Sequence, residues 1–276
     1  NAAYSTVVKL GVKRQVAHWT LDWADYVDGL YLDSSGEGHH AEPNLLPDAS
    51  QFVAGANPAK TGEALDLTVK PLAAADAGDW EPFEFTGEMT LSTWFKWAGL
   101  HGAFHGILTK RTDGVGTSWY WNLNDIPGNM NFGGPGISGV SAPAPTVGEW
   151  VYAVVSVSPS ATKLYINGLE AASSSGSTLT PSDGTIKIGA NNTKNGIVGP
   201  VFNGIMDDVR IYNYAMDQFE VADLYYAISE TPACLNPEGV DLRFDVTGDC
   251  RVGLDDFAMF AGTWLNCGLY PQNDCP

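Results

Sequence analysis

The stretch Lys163-Leu164-Tyr165-Ile166-Asn167-Gly168-Leu169-Glu170 decides the fold class. Two short strand-like runs flank Asn-Gly, the pair that most readily adopts positive φ at both central positions of a type I′ turn. The octapeptide therefore predicts a β-hairpin, and runs of the same kind recur on both sides of it. Glu88–Trp97, Gly106–Lys110, Ser118–Leu123, Trp150–Ser156, Leu169–Ser173, Thr185–Ile188 and Gly204–Tyr212 are rich in β-branched and aromatic residues and are separated by turn residues. Val16–Leu21 is the first recognisable strand of this series. Before it, residues 1–15 form an arm whose Tyr4–Leu10 segment is expected to pair as a strand, at an edge of its own sheet or of a neighbour's. Many short strands in a chain with 31 Gly and 16 Pro read as an all-β sandwich or jelly roll. A short helix is expected near Asp217–Tyr225, with Phe219, Val221, Leu224 and Tyr225 turned towards the body.

The chain has 276 residues, room for one large β domain and a small appendage. Acidic residues number 32 against 14 basic ones, a net charge of −18. Such a chain is repelled by nucleic-acid phosphates and by anionic membrane surfaces, which excludes both as partners. It attracts cations instead, Ca²⁺ above all where carboxylates cluster. No apolar run approaches the ~20 residues of a membrane span.

All four cysteines, Cys234, Cys250, Cys267 and Cys275, fall at the C-terminal end, and the first 233 residues have none. That segregation sets off a tail, 244–276, joined to the body 16–228 by a linker, 229–243. The intervals between the cysteines lack the close pairs of a zinc site, so two disulfides are expected, which places the protein outside the cytosol, secreted or at the cell surface. Three pairings are open to four cysteines. The nested one, Cys250–Cys267 within Cys234–Cys275, is the one adopted here. Inside the tail, Asp245-Val246-Thr247-Gly248-Asp249-Cys250-Arg251-Val252-Gly253-Leu254-Asp255-Asp256 has the spacing of a calcium loop. Asp245, Thr247, Asp249 and Asp256 stand at side-chain ligand positions, the Arg251 carbonyl at position 7, and Cys250 where a turn glycine usually sits. The alternative is an acidic loop that caps the following helix without metal. That helix places Phe257, Phe260, Ala261, Trp264 and Leu265 on one face.

The ensemble of motifs resembles a known family. Val16-Ala17-His18-Trp19-Thr20-Leu21-Asp22, Asp33-Ser34-Ser35-Gly36-Glu37-Gly38-His39-His40, Thr90-Leu91-Ser92-Thr93-Trp94-Phe95, Gly148-Glu149-Trp150-Val151-Tyr152, the Asn-Gly hairpin and Asn203–Tyr212 follow in the order of laminin-G-like jelly rolls of the concanavalin A-like lectin/glucanase superfamily. The tail, 234–276, resembles a single dockerin-type calcium repeat; a dockerin carries two, and one is present here. The resemblance implies two antiparallel sheets, a secreted bacterial protein, and a structural Ca²⁺ at Asp207, with Asp33 as a candidate second ligand. The other reading of Asp33 is a turn aspartate bonded to its own backbone. Asp208 alternates to the opposite strand face and should not serve the ion of Asp207.

Catalytic patterns are lacking. The Glu-x-Asp-x-x-Glu arrangement of related glucanases is not found, and Glu81, Glu84 and Glu88 sit in a Pro-bearing stretch that reads as a solvated edge. His101 and His105 have the spacing of a helical zinc pair, but their Gly-rich surroundings argue against a helix. Trp119-Tyr120-Trp121 admits two readings: Trp119 and Trp121 share one strand face, either as a sugar-stacking platform with Asn122 and Asn124 beside it, or as core. These residues lead to a non-catalytic, calcium-binding, lectin-like module for glycan binding or adhesion. The competing expectation is a structural subunit that assembles with its neighbours into a filament, sheath or surface layer through its arm and tail; a glycoside hydrolase ranks third.

Overall fold

A computed structural model gives the structure of residues 11–70, 73–99, 104–111, 117–124, 128–191, 193–194, 197–198, 201–235, 241–263 and 266. The segment expected to pair at 4–10 lies outside these residues. The chain divides into two compact units, Asn1–Pro232 and Ala233–Pro276.

The larger unit is an antiparallel two-sheet sandwich. One sheet runs in the order β15 (Leu169–Ser175), β14 (Ala161–Ile166), β13 (Trp150–Val157), β8 (Met89–Trp97), β19 (Gly204–Tyr212), β6 (Glu63–Asp66) and β5 (Phe52–Ala54); β1 (Gln15–Trp19) also pairs with β19. The other runs β12 (Ile137–Pro143), β11 (Asn129–Gly134), β10 (Trp119–Asn124), β9 (His105–Arg111), β16 (Thr185–Ile188), β7 (Ala75–Asp76) and β4 (Glu42–Pro43). The loops carry two small hairpins, β2 (Tyr26–Val27) with β3 (Leu30–Tyr31) and β17 (Thr193–Lys194) with β18 (Ile197–Val198), together with the short helix α1 (Pro58–Thr61) and 3-10 turns at Trp23–Asp25 and Ala49–Gln51.

The deciding hairpin forms as its sequence demands. Asn167 and Gly168 have φ of 51° and 80°, and Ile166 pairs with Leu169 across the turn. The Asn167 side chain does more than permit the turn: its Oδ1 accepts the Tyr152 N–H at 3.0 Å, tying the hairpin to the next strand.

Strict alternation assigns the faces. Leu91, Phe95 and Trp97 of β8 meet Val151, Ala153 and Val155 of β13 and Trp119, Trp121 and Leu123 of β10 in one buried core between the sheets. On the opposite face of the eight-stranded sheet, Trp94, Tyr152 and Tyr212 form a second cluster, covered by α2 (Gln218–Ser229) through Val221, Leu224, Tyr225 and Ile228. A capping box starts that helix: Asp217 accepts the Phe219 and Glu220 N–H groups, and Glu220 accepts the Asp217 N–H. Phe219 departs from expectation. It lies in the first turn, next to the cap, and is 45% exposed rather than packed. Among the described residues of the larger unit, α2 covers the outer face of the eight-stranded sheet, and no helix packs on that of the seven-stranded sheet.

Candidate functional site

On that outer face, strands β9 to β12 carry an open cavity of about 640 Å³, within the range of small-molecule sites. Its lining includes Tyr120, Asn122 and Asn124 of β10, Asn131 of β11, Ser141 of β12 and Arg111 of β9. Trp119 and Trp121 are not there. Both are fully buried, packed in the core between the sheets, so the platform expected from them is corrected to the residue between them. Alternation sends Tyr120, Asn122 and Asn124 outward because the bulky pair of tryptophans is drawn into the core. Of the four expected ligand-site residues, the asparagines line the cavity and the tryptophans do not.

Two glycines shape this floor. Gly133 pairs with Tyr120 across the ladder, and a Cβ there would meet the Tyr120 hydroxyl at 2.9 Å, so the glycine leaves the phenol room on β11. Gly106 pairs with Asn122, and a Cβ there would come within 2.2 Å of the Ala190 carbonyl carbon. The close approach lets the 190–191 backbone cross β9, where Thr109 Oγ1 donates to the carbonyls of Ala190 and Asn191 at 3.0 and 2.9 Å. Asn191 is thereby set against Arg111, whose Nη1 donates to Asn191 Oδ1 at 3.0 Å. Alternation in the sequence separates Tyr120 from the two tryptophans without saying which face is buried, and the glycines signal nothing until the register is known.

A second cavity, about 590 Å³, lies over β16, β7 and β4, where buried Lys187 pairs with Asp76. The expected carboxylate edge serves structure. Glu81 accepts the Ser182 N–H at 2.9 Å and lies 3.3 Å from buried Lys110, and Glu88 accepts the Ala215 N–H at 3.2 Å. His105 lies in strand β9 opposite Leu123, so the helical zinc spacing does not arise; His101 is outside the described residues.

Asp33 and Asp207, expected to share a calcium ion, have separate occupations. Asp33 accepts the N–H groups of His18, Ser35 and His39 and the Ser35 hydroxyl, all at 2.8–2.9 Å. Burial alone would push its carboxyl up, but those donors outweigh it and hold it below the ordinary range. It is a turn aspartate that organises the 33–39 loop, and both its oxygens are engaged. Asp207 is fully buried; its Oδ2 accepts the Ala56 N–H at 2.8 Å and its Oδ1 has no partner among the described residues. Burial first, then the charges of Asp208 and Asp22, push its carboxyl up to about 7. The expected alternation fails beside it. Asp208 has φ of 52° within a register shift between Asp207 and Arg210, so both aspartates are buried. Asp208 is held by His18 Nε2 at 2.5 Å and Arg210 Nη2 at 2.8 Å, which overcome burial and keep its carboxyl below the usual value.

In the smaller unit, Asp245, Asp249 and Asp256 offer carboxylate oxygens within 4.8 Å of one another. Asp245 accepts the Gly248, Asp249 and Cys250 N–H groups, and Asp249 accepts the Arg251 N–H at 2.9 Å. Asp256, buried in the first turn of α3 (Leu254–Thr263), accepts from the Thr247 N–H and hydroxyl and from the Gly253 N–H. Backbone donors from Thr247 and Gly253 hold its carboxyl down at about 2. Thr247 thus acts as a donor to Asp256. Cys250 takes φ of 65°, the left-handed conformation of the glycine it replaces, which preserves the loop. Its disulfide partner is Cys234, not Cys267, so the nested pairing is corrected; Cys267 and Cys275 lie outside the described residues. The pairing joins the start of the unit to the middle of the loop.

The fold is shared with proteins of known structure. Domain 4 of AbnA, an extracellular arabinanase from Geobacillus stearothermophilus solved with arabinotriose, is 21% identical, with a TM-score of 0.55 over 77% of this chain and 98% of that domain. The binding domain of Paraclostridial Mosquitocidal Protein 1 is 17% identical, with a TM-score of 0.55 over 77% of this chain and 52% of that one. The Trypanosoma rangeli sialidase is 12% identical, with a TM-score of 0.53 over 78% of this chain and 32% of the sialidase. The chain thus spans about half of the second and a third of the third. No curated protein matches it by sequence. The family model that does match covers residues 73–222, more than half of the chain, and by it the chain belongs to the concanavalin A-like lectin/glucanases superfamily.

Proposed function

We propose that the chain is a non-catalytic, extracellular glycan-binding module whose saccharide site is the outer face of the seven-stranded sheet. The observation that carries this reading is the cavity over β9–β12, where the Tyr120 ring, four asparagines and a serine line a surface that the core does not need. Sugar recognition asks for that mixture, a flat apolar face with hydrogen-bonding groups around it. The complex of the AbnA domain with arabinotriose supports it by likeness of fold. Among the described residues no carboxylate lines the cavity, and hydrolysis by an acid/base pair would need two. Titration with arabinotriose and other oligosaccharides tests the proposal. Tyr120→Ala is expected to weaken binding at least about tenfold and leave the melting temperature nearly unchanged, because the ring is only partly buried. Saccharide binding that ignores Tyr120, or none to any oligosaccharide tried, would sink it.

Calcium belongs to the same reading. Asp245, Asp249, Asp256 and the Arg251 carbonyl would hold Ca²⁺ in the C-terminal loop, where the ion would gather the three carboxylates and stiffen the entry to α3. The fit rests on the converging carboxylates and on the positive φ of Cys250. Calorimetric titration of the full chain should show a binding event that Asp249→Ala weakens by at least about tenfold. Asp249 is the exposed member, so this variant spares the capping bonds of Asp245 and Asp256. Absence of a calcium heat in the wild type, or one indifferent to Asp249, would refute the assignment.

A further inference from the structure

We infer that the saccharide taken by this cavity carries a carboxylate, received by Arg111; the inference rests on the glycan-binding reading above and names its substrate class. The chain has more than twice as many acidic as basic residues, and the most buried cations of its two sheets are paired with carboxylates. On the same sheet Lys110 lies 2.6 Å from Asp79, and Lys187 pairs with Asp76. On the other sheet Arg210 holds Asp208. Arg111, next to Lys110 on β9, is different. Among the described residues no carboxylate pairs with it: Nη1 donates to the neutral Asn191 amide, and the buried Nε has no acceptor.

A guanidinium keeps its charge at any ordinary pH, and holding it half-buried with no counter-charge among the described residues costs free energy that an incoming anion would recover. Asn122 adds a second unmet group. It is 2% exposed, lines the same cavity, and its Oδ1 has no donor among the described residues. A sugar ring bearing a carboxylate answers both needs, the carboxylate by accepting from Arg111 and a ring hydroxyl by donating to Asn122, while the apolar ring face lies against Tyr120. Charge also limits the ligand. A net −18 repels a polyanion, and the cavity offers one cation among its described residues. The chemistry fits a largely neutral oligosaccharide with one uronic acid rather than a polyuronate or a heavily sulfated chain.

Calorimetric titration of the full chain with glucuronosyl-xylobiose, its methyl ester and arabinotriose tests this. The ester keeps every ring and removes the charge. At low salt the acid is expected to bind about tenfold more tightly than the ester, the ratio shrinking as salt is raised to about 0.5 M. In Arg111→Met the two should bind within about twofold of each other, and Arg111→Lys, which keeps the charge and loses the fork, should fall between. Equal binding of acid and ester by the wild type overturns this inference and leaves the glycan reading standing. A preference for the acid that persists in Arg111→Met overturns it as well. Failure of all three saccharides to bind takes down the glycan reading and this inference with it. Should Arg111→Met misfold, the wild-type ratio and its salt dependence still decide.

Discussion

Trp121→Ala is expected to lower the stability of the sandwich by about 3–5 kcal/mol, the range for deleting a buried aromatic side chain. Trp121 is fully buried between the sheets, and truncation leaves a large void. Its indole N–H has no acceptor among the described residues, so Trp121→Phe gives up packing volume and none of the described hydrogen bonds, and should cost far less than the alanine. Denaturant unfolding separates the two variants directly. Tyr120→Ala, one residue away, should show the opposite profile, with saccharide binding lost and stability nearly kept. If Trp121→Ala instead removes binding at unchanged stability, then Trp121 faces the ligand and the assignment of faces on β10 is wrong.

That contrast shows how far the sequence could be read. Strands with turn residues between them were legible because each is a local event: Asn-Gly forces its hairpin whatever surrounds it, and Thr185–Ile188 and Gly204–Tyr212 fall almost residue for residue on β16 and β19. The short strands β4 to β7 were not, since two to four residues hold a strand only when a neighbouring ladder receives them. Face assignment fails for a related reason. Alternation says that Trp119 and Trp121 share a face and Tyr120 takes the other, but which face meets the opposite sheet is a tertiary fact. At Asp208 even alternation lapses, because a residue at positive φ breaks the pleat. The disulfide was beyond reach as well, since spacing alone cannot distinguish Cys234–Cys250 from its alternatives. Arg111 and Asn191 lie 80 positions apart and meet only because Gly106 lets one backbone cross another.

Asp207→Asn is expected to stabilise the protein at pH 8 in the presence of chelator and to make little difference near pH 4. The ordinary value of this carboxyl is 3.8, and burial raises it to about 7 in the folded chain. Between those values the folded chain keeps a proton that the unfolded chain has released. The stability it contributes is complete below the unfolded value and is lost as pH rises through the folded one. At about 1.4 kcal/mol per unit, the whole loss approaches roughly 4 kcal/mol by pH 8. The amide of the variant cannot ionise and keeps an oxygen for the Ala56 N–H, so it escapes that loss. Melting curves of both proteins from pH 4 to pH 8 should therefore diverge with rising pH, by several degrees at the upper end. A variant that is less stable than the wild type at pH 8 in chelator would mean that the ionised carboxylate has a favourable partner there, against what its bare Oδ1 indicates. The same curves in millimolar Ca²⁺ carry the family expectation of an ion at Asp207. A cation on the unpartnered oxygen would bind the ionised wild type and not the amide, so an ion there would show as a selective rise of the wild-type melting temperature that narrows or reverses the difference. If calcium moves both proteins equally, the ion it reports lies elsewhere, and Asp207 is a buried acid whose unmet oxygen the fold tolerates only while it is protonated.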